Sequence, residues 1–337
     1  MEYSRKHRII PIFIPEMACP HRCVYCNQFL ISGREKMPTD DEIKSVVGRY
    51  LETVPEGACV ELAFFGGTFT GLAMEEQERL LKLVNPYIIE GRIEGVRLST
   101  RPDYVDEENV ELLKSWGVKV VELGVQTTDA DVLKASGRGY GVEVVENAAR
   151  LVKDGGMELG MQMMIGLPKD TKEKSVATAK SIVELGAKNT RIYPTLVMRN
   201  TVLARMYERG LYRPLSLEMA VDWTKELLWI FDRGGVLVQR VGLHPTEGLM
   251  RGEDYLDGPF HVSFKEMVMT EMWRDVLMEK LVETGGLKKC VVRVANNMLG
   301  VAAGYGGKNR KWLKECGLEV GFRGDEGLNN FDLRIEN

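Results

Sequence analysis

Cysteine is scarce and unevenly placed, with six in 337 residues. That is too sparse for a disulfide framework and fits a reducing compartment. Long apolar runs are missing as well. The longest are of strand length and broken by charge, short of the ~18 residues that mark a membrane helix, and Met1–His7 opens onto no signal-like apolar region. A cytoplasmic protein with no membrane association is expected. Positive charge is not in excess, since 45 Lys and Arg face 49 Asp and Glu for a net charge of −4. A general attraction to nucleic acid is thereby excluded, and any such binding must come from a local patch. Hairpin signals are absent between the strand-like runs of the first 200 residues, which argues against an antiparallel sheet there.

What is present can bury a large core, at 44% hydrophobic and 28% charged residues, and predicts one big domain with a smaller appendage. Three of the six cysteines fall within eight residues, at Cys19, Cys23 and Cys26. Three thiolates in one loop can hold a metal centre and leave a coordination position open, whereas a site closed by protein alone usually takes four ligands. His21 lies between the first two cysteines and offers a fourth donor for zinc, although its spacing is outside that of zinc fingers.

Strand and helix patterns alternate along the chain. Ile9–Ile14 reads as a strand that feeds the cysteine loop. Thr39-Asp40-Asp41-Glu42 is a capping box opening a helix through about Glu52. Further strands are expected at Cys59–Phe65, Gly95–Ser99, Val118–Leu123, Leu159–Ile165 and Thr190–Pro194. Helices are expected over Met74–Ile88, Glu107–Trp116, Asp129–Ala135, Glu143–Lys153 and Lys172–Leu185. Asp106 serves as an N-cap, while Gly117 and Gly155 are expected to be left-handed residues past helix ends. Six such units predict an α/β fold, a partial (β/α)6 TIM-like barrel open on one side. Ligands then sit at the carboxyl ends of the strands. The cysteine loop, Gly66-Gly67-Thr68, Arg101-Pro102-Asp103, Gly124-Val125-Gln126, Gly166-Leu167-Pro168 and Pro194-Thr195 all fall there.

Beyond Pro194, Tyr207–Leu211 and Met219–Phe231 read as helices and Val236–Val241 as a further strand. The expected domains are 1–245, the partial barrel; 246–285, a linker and a helical lid or brace over Phe264–Val282; and 286–337, a small C-terminal α+β module. In the last, Cys290–Val294 and Leu318–Phe322 read as strands, and Gly304-Tyr305-Gly306-Gly307 is a glycine turn entering a basic helix. That turn is similar to the backbone clamp of KH-type RNA-binding modules. Gly286–Asn337 carries nine Lys and Arg against six Asp and Glu, opposite in sign to the whole chain. The plainer reading is a small cap that completes the barrel, with the basic helix as a solvated face.

The spacing Cys-x3-Cys-x2-Cys, with Tyr25 before the last cysteine, resembles the signature of the radical S-adenosylmethionine (radical SAM) superfamily. Within it the chain is most similar to the catalytic subunit of Elongator, then to the oxygen-independent coproporphyrinogen oxidase group. The stretches that carry the likeness are Thr100-Arg101-Pro102-Asp103-Tyr104, Glu122-Leu123-Gly124-Val125-Gln126, Gly137-Arg138-Gly139-Tyr140, Met163–Pro168 and Ile192–Val197. The resemblance covers about residues 8–245 and leaves out the Elongator subunit's acetyltransferase domain, so that protein's overall reaction is not carried over.

The resemblance implies a [4Fe-4S] cluster on Cys19, Cys23 and Cys26, with S-adenosylmethionine (SAM) chelating the fourth iron. Reductive cleavage would then give methionine and a 5'-deoxyadenosyl radical, with a reducing partner such as flavodoxin or ferredoxin. It places Tyr25, Gly66, Gly67 and Thr68 at the SAM site, the glycine turn meeting the amino group through backbone atoms, and pairs Arg138 with the carboxylate. Gln126 falls near the ribose or substrate, the Gly166-Leu167-Pro168 segment lines the adenine site, and Gln162, Ile165 and Leu196 are further implied SAM-binding positions. Two positions depart from the relatives' pattern: Ser99 replaces an acidic residue, and Gln162 an aspartate. Cys59 and the methionines of Met161–Met164 read as core residues, and His261 as an unremarkable histidine beside a linker. The substrate implied is tRNA or another RNA. A small metabolite or peptide is the first alternative, and a non-catalytic RNA-binding protein with a structural or redox-sensing cluster is the second.

Overall fold

The apolar run that starts the chain forms β1 (His7–Ile14), which pairs in parallel with β2 (Cys59–Gly66). β3 (Gly95–Thr100), β4 (Val118–Gln126), β5 (Glu158–Ile165), β6 (Asn189–Pro194) and β7 (Leu237–Val241) follow in sequence order, each parallel to the last. The computed structural model describes residues 7–15, 19, 23–27, 29–30, 36–55, 57–282 and 288–336. Six strands are joined by a seventh because β7 continues the same sheet beside β6 instead of starting a new layer. Strand order that never reverses is that of a (β/α) half-barrel, with every strand's carboxyl end on one rim.

Helices α1 (Asp40–Thr53), α2 (Met74–Ile89), α3 (Glu107–Ser115), α4 (Ala130–Ala135), α5 (Val142–Asp154) and α6 (Lys172–Glu184) connect the strands. The Thr39–Glu42 capping box forms in both directions, and Asp106 caps α3 through the amide of Asn109. In α5 the buried residues Val145, Ala148, Ala149 and Val152 recur at helical spacing, so one stripe faces inward. Two local expectations are corrected. Gly155 is right-handed (φ −67°), and the left-handed position is Gly156 (φ 78°), because the helix runs one residue further than read. The helix expected at Tyr207–Leu211 begins earlier as α7 (Val202–Glu208), since Thr201 accepts from the Ala204 amide and starts it there.

The chain divides into two compact units, Met1–Pro214 with Ile230–Gly258, and Leu215–Trp229 with Pro259–Asn337. α8 (Leu217–Arg233) contributes to both, while α9 (Glu247–Arg251) lies in the first. The second unit holds α10 (Phe264–Val282), β8 (Lys289–Ala295), α11 (Leu299–Ala303), α12 (Lys308–Glu315), β9 (Glu319–Asp325) and β10 (Leu333–Glu336). Its sheet runs β10-β8-β9, with β8 and β9 parallel and β10 antiparallel. Trp273 and Leu277 of α10 share a buried core with Cys290, Val292, Val294, Ala302, Leu313 and Val320. That shared core puts α10 with the C-terminal sheet, a different partition from the boundaries at 245 and 285 read from sequence. β10 escaped the sequence reading because four residues of alternation give almost no signal.

Candidate active site

The cysteine loop leaves β1 at the rim. Cys19 Sγ lies 3.3 Å from Thr68 Oγ1, which joins it to the glycine turn after β2. Cys23 is buried, and its Sγ receives Arg101 Nη1 at 3.5 Å and Arg138 Nη1 at 3.3 Å. Two guanidinium groups thus converge as donors on one sulfur. The Cys26 amide donates to the Cys23 carbonyl at 3.0 Å, Val24 N to Ser136 O, and Leu203 N to Val24 O. The loop is thus pinned by the end of α4 and the start of α7. Tyr25 packs with Cys23, Val132, Leu167 and Leu203, and its hydroxyl accepts from Arg138 at 3.3 Å. Burial raises its phenol well above the ordinary value, so it stays protonated. Among the described residues no three His, Cys, Asp or Glu side chains are drawn into a ready-made metal cage. His21, the fourth donor of a zinc reading, lies outside the described residues.

The turn after β2 is constrained by contact. Gly66 has φ 103°, and a Cβ there would stand 2.4 Å from the Ile14 carbonyl oxygen, so no other residue fits without movement. Gly67 donates to that same oxygen at 3.0 Å, which engages its N–H. At the end of β4 the register shifts between Gly124 and Gln126, a bulge that re-aims the side chain. Gln126 adopts φ 69° and its Oε1 is buried with no hydrogen-bond partner among the described residues. A left-handed glutamine with an orphaned acceptor is strain of the kind found where a ligand is met.

The Gly166-Leu167-Pro168 turn is held from both sides. Gly166 N donates to Asp170 Oδ2 at 2.8 Å, and its carbonyl accepts from Tyr212 at 2.6 Å. Burial raises Asp170 from 3.8 to about 6, against hydrogen bonds from Ser175 and Gly166 that lower it. Between those values the folded chain keeps a proton that the unfolded chain has released, so stability falls as pH rises through that window, by at most about 3 kcal/mol. Asp170→Asn keeps an acceptor without the charge. It is expected to flatten the pH dependence of thermal melting between pH 3.8 and about 6 and to raise the midpoint at neutral pH. A variant that melts at or below the parent at neutral pH would refute this. Ile165 and Leu196 are buried at the ends of β5 and just beyond β6, and Thr195 binds the Ile165 carbonyl through both N (3.0 Å) and Oγ1 (2.8 Å).

Below the rim, each of the seven strands supplies at least one polar side chain to a single network, which runs through His7, Glu61, Arg97, Glu122, Gln162, Arg191 and Gln239. Glu122 is its centre, accepting from Arg97 Nη1 (2.7 Å), Arg191 Nε (2.7 Å) and Nη2 (2.9 Å), and Gln162 Nε2 (2.9 Å). Burial opposes its charge, yet the two arginines hold its carboxyl below the ordinary value. Gln162 also donates to Ser99 Oγ at 3.0 Å. The two departures from the relatives' pattern are therefore one contact. Arg138 directs its donors to Cys23, Tyr25, Tyr140 and the Gly124 carbonyl, and both Arg101 and Arg138 lie over the Tyr140 ring. Arg101, Tyr140 and Glu122 sat inside the quoted motifs but were not singled out from sequence: Arg101 follows the end of β3, Glu122 lies mid-way along β4 and Tyr140 lies between α4 and α5, with no local signal of a shared site.

A parallel half-barrel with a three-cysteine loop and two arginines at its rim defines a class, the iron–sulfur enzymes that keep one iron open for a ligand. Residues 15–182 match the model of the Radical SAM superfamily and residues 187–274 that of the Radical_SAM C-terminal domain. The chain belongs to the radical SAM superfamily, whose enzymes use a [4Fe-4S] cluster, SAM and a reductant. It is 32% identical over 183 residues to a tRNA uridine(34) acetyltransferase of Methanocaldococcus jannaschii, covering 48% of this chain and 34% of that protein. It is 30% identical over 189 residues to Elongator complex protein 3 of Saccharomyces cerevisiae, covering 50% and 34%. The archaeal Methanocaldococcus infernus Elp3 has the same fold, with a TM-score of 0.64 at 22% identity over 80% of this chain and 63% of that one. The chain spans only 34% to 52% of the length of the tRNA uridine(34) acetyltransferases it matches. No helix among the described residues is long and apolar enough to cross a membrane.

The residues present fit the superfamily's cofactors. Three soft sulfur donors suit iron, two guanidiniums stand against one of them, Cys23, and the orphaned Gln126 oxygen is an acceptor for a hydroxyl-bearing ligand. Cys59 is different in kind: burial, with Glu94 beside it, pushes its thiol up to about 11, which keeps it protonated and away from iron.

Proposed function

We propose that Cys19, Cys23 and Cys26 hold a [4Fe-4S] cluster, that the rim binds SAM beside it, and that the chain removes hydrogen from an RNA substrate. A cluster held there would supply, once reduced, the electron for cleavage of the SAM sulfonium to methionine and a 5'-deoxyadenosyl radical. Carbonyls of the Gly66-Gly67-Thr68 turn accept from the amino group, since the Gly67 N–H is already engaged. Arg138 pairs with the carboxylate, Gln126 accepts from a ribose hydroxyl, and Ile165 and Leu196 border the adenine. Gln162, bound to Ser99 and Glu122, acts on the ribose side through the position it gives that floor. Tyr25 packs beneath Cys23 and excludes water from it.

The observation that carries this reading is that two of the three thiols touch the very residues assigned to SAM, Cys19 at Thr68 and Cys23 at Arg138. The RNA substrate is supported by relatives named as tRNA-modifying proteins and by the positive C-terminal segment. Flavodoxin or ferredoxin in a reducing cytoplasm would supply the electron. After anaerobic reconstitution with iron and sulfide, dithionite and SAM should yield 5'-deoxyadenosine and methionine. A fully formed cluster that releases neither would sink the enzymatic assignment, and release that no RNA accelerates would sink the substrate.

A further inference from the structure

Between α11 and α12 the chain turns through Gly304-Tyr305-Gly306-Gly307, and its three glycines all have positive φ (91°, 60° and 73°). Packing explains Gly304, where a Cβ would stand 2.5 Å from the Asn309 nitrogen. At the other two the left-handed backbone alone favours glycine, and no packed neighbour adds to it. A Cβ on Gly306 or Gly307 would meet no atom within 4 Å, so the bare backbone there faces open space. Tyr305 N donates to Thr270 Oγ1 at 2.8 Å, which holds the loop on α10 while the Tyr305 ring stays 44% exposed.

The helix that follows is electrostatically unfavourable in isolation. α12 has no side-chain cap and no acid in its first turn, whereas α1, α2, α3, α5 and α6 all begin with acids. Lys308, Arg310 and Lys311 stand at the positive end of the helix dipole, and Lys314 follows within reach of Arg310 and Lys311. Like charges at these spacings, and cations at a helix start, each lower helix stability by tenths of a kcal/mol. Lys308 is paired with Glu271 at 2.7 Å, and Arg310 lies over the Phe322 ring. Lys311 and Lys314 are exposed and form no ion pair among the described residues.

We propose that the Gly304–Gly307 turn and the Arg310/Lys311/Lys314 stripe of α12 bind the sugar–phosphate backbone of single-stranded nucleic acid, with Tyr305 as the platform for one base. Charge complementarity selects a polyanion. The bare glycine backbone admits a phosphate closely, and an exposed ring serves only a base that is not already stacked in a duplex. The eight-residue helix is about 12 Å long, which suits a few nucleotides and not a turn of duplex. Preference for RNA over DNA rests on the substrate reading above; the surface does not.

The test is fluorescence anisotropy of a short labelled oligoribonucleotide with the full chain, titrated at several salt concentrations. Arg310→Ala/Lys311→Ala/Lys314→Ala should weaken binding about tenfold or more, and should reduce the slope of log Kd against log salt by about 2, as three lost phosphate contacts require. Tyr305→Ala should weaken binding with the slope unchanged. Gly306→Asp, an acid at the open tip, should weaken it again, and by more than Gly306→Asn, which places the same strain on the φ 60° backbone without the charge. Wild-type affinity in the triple variant and in Gly306→Asp overturns the proposal, as does equal competition by duplex RNA or by polyglutamate. If the variants lose binding but RNA never accelerates 5'-deoxyadenosine release, the surface stands and the RNA-substrate reading falls. If RNA accelerates release and the variants bind normally, the reverse holds.

Discussion

Glu122→Ala is expected to lower the unfolding free energy by about 3–5 kcal/mol, the largest stability loss of any single polar replacement in the barrel. Its carboxylate is 1% exposed and accepts four hydrogen bonds, two of them from Arg191 and one from Arg97. Without it Arg97 keeps Glu61 at 2.8 Å, but Arg191 is left with Gln239 at 3.1 Å, the Tyr193 hydroxyl and the face of Phe65, none of them charged. A buried cation with no counter-charge accounts for most of the loss. Glu122→Leu combined with Arg191→Leu removes the pair together and should be less damaging than Glu122→Ala alone. Urea denaturation followed by circular dichroism decides the matter. A single-variant loss below about 1 kcal/mol would mean that water or relaxation relieves Arg191, and the network would not be holding the barrel floor.

Cys23→Ala is expected to abolish the cluster outright, with iron content and the visible absorbance of reconstituted protein falling to background. Cys19→Ala and Cys26→Ala should do the same. On the proposed ligand set each iron held by the protein would depend on one thiolate, and a cluster with two protein ligands would expose two irons where the chemistry tolerates one. Cys59→Ala is the control, because its thiol is held protonated on β2 at about 11. Loss of iron in Cys59→Ala, or its retention in Cys23→Ala, would show the ligand set to be misassigned. Arg101 sharpens the distinction between ligand and support. It binds Cys23, Asp103 and the Arg138 carbonyl at once, so its loss disturbs the loop while leaving all three thiols in place.

Most of the barrel could be read from residues in order. Ile9–Ile14, Cys59–Phe65 and Leu159–Ile165 are strands of β-branched and other apolar residues bounded by proline or glycine, and the structure extends each by only a residue or two. Caps such as Thr39 and Asp106 state their own function locally. The polar network was not legible in the same way. Arg97, Glu122 and Arg191 each stand alone in a run that otherwise reads as buried strand, and nothing local pairs residues 25 and 69 positions apart. Parallel register does that, by placing one inward position of each strand near its neighbours'. Ser99 and Gln162 illustrate the same point, since two unrelated departures in sequence become one hydrogen bond in space.

Sequence alone determined the alternation of strands and helices, the three-cysteine loop and the family, because periodicity, caps and short-range cysteine spacing are properties of neighbouring residues. Tertiary structure decided which side chains meet that loop: Thr68 at Cys19, Arg101 and Arg138 at Cys23, Glu122 as the centre of the floor. It also decided that Gly306 and Gly307 are bare for no internal packing reason. These are facts of long-range register and of empty space around a residue, and they come into being only when the strands are laid side by side.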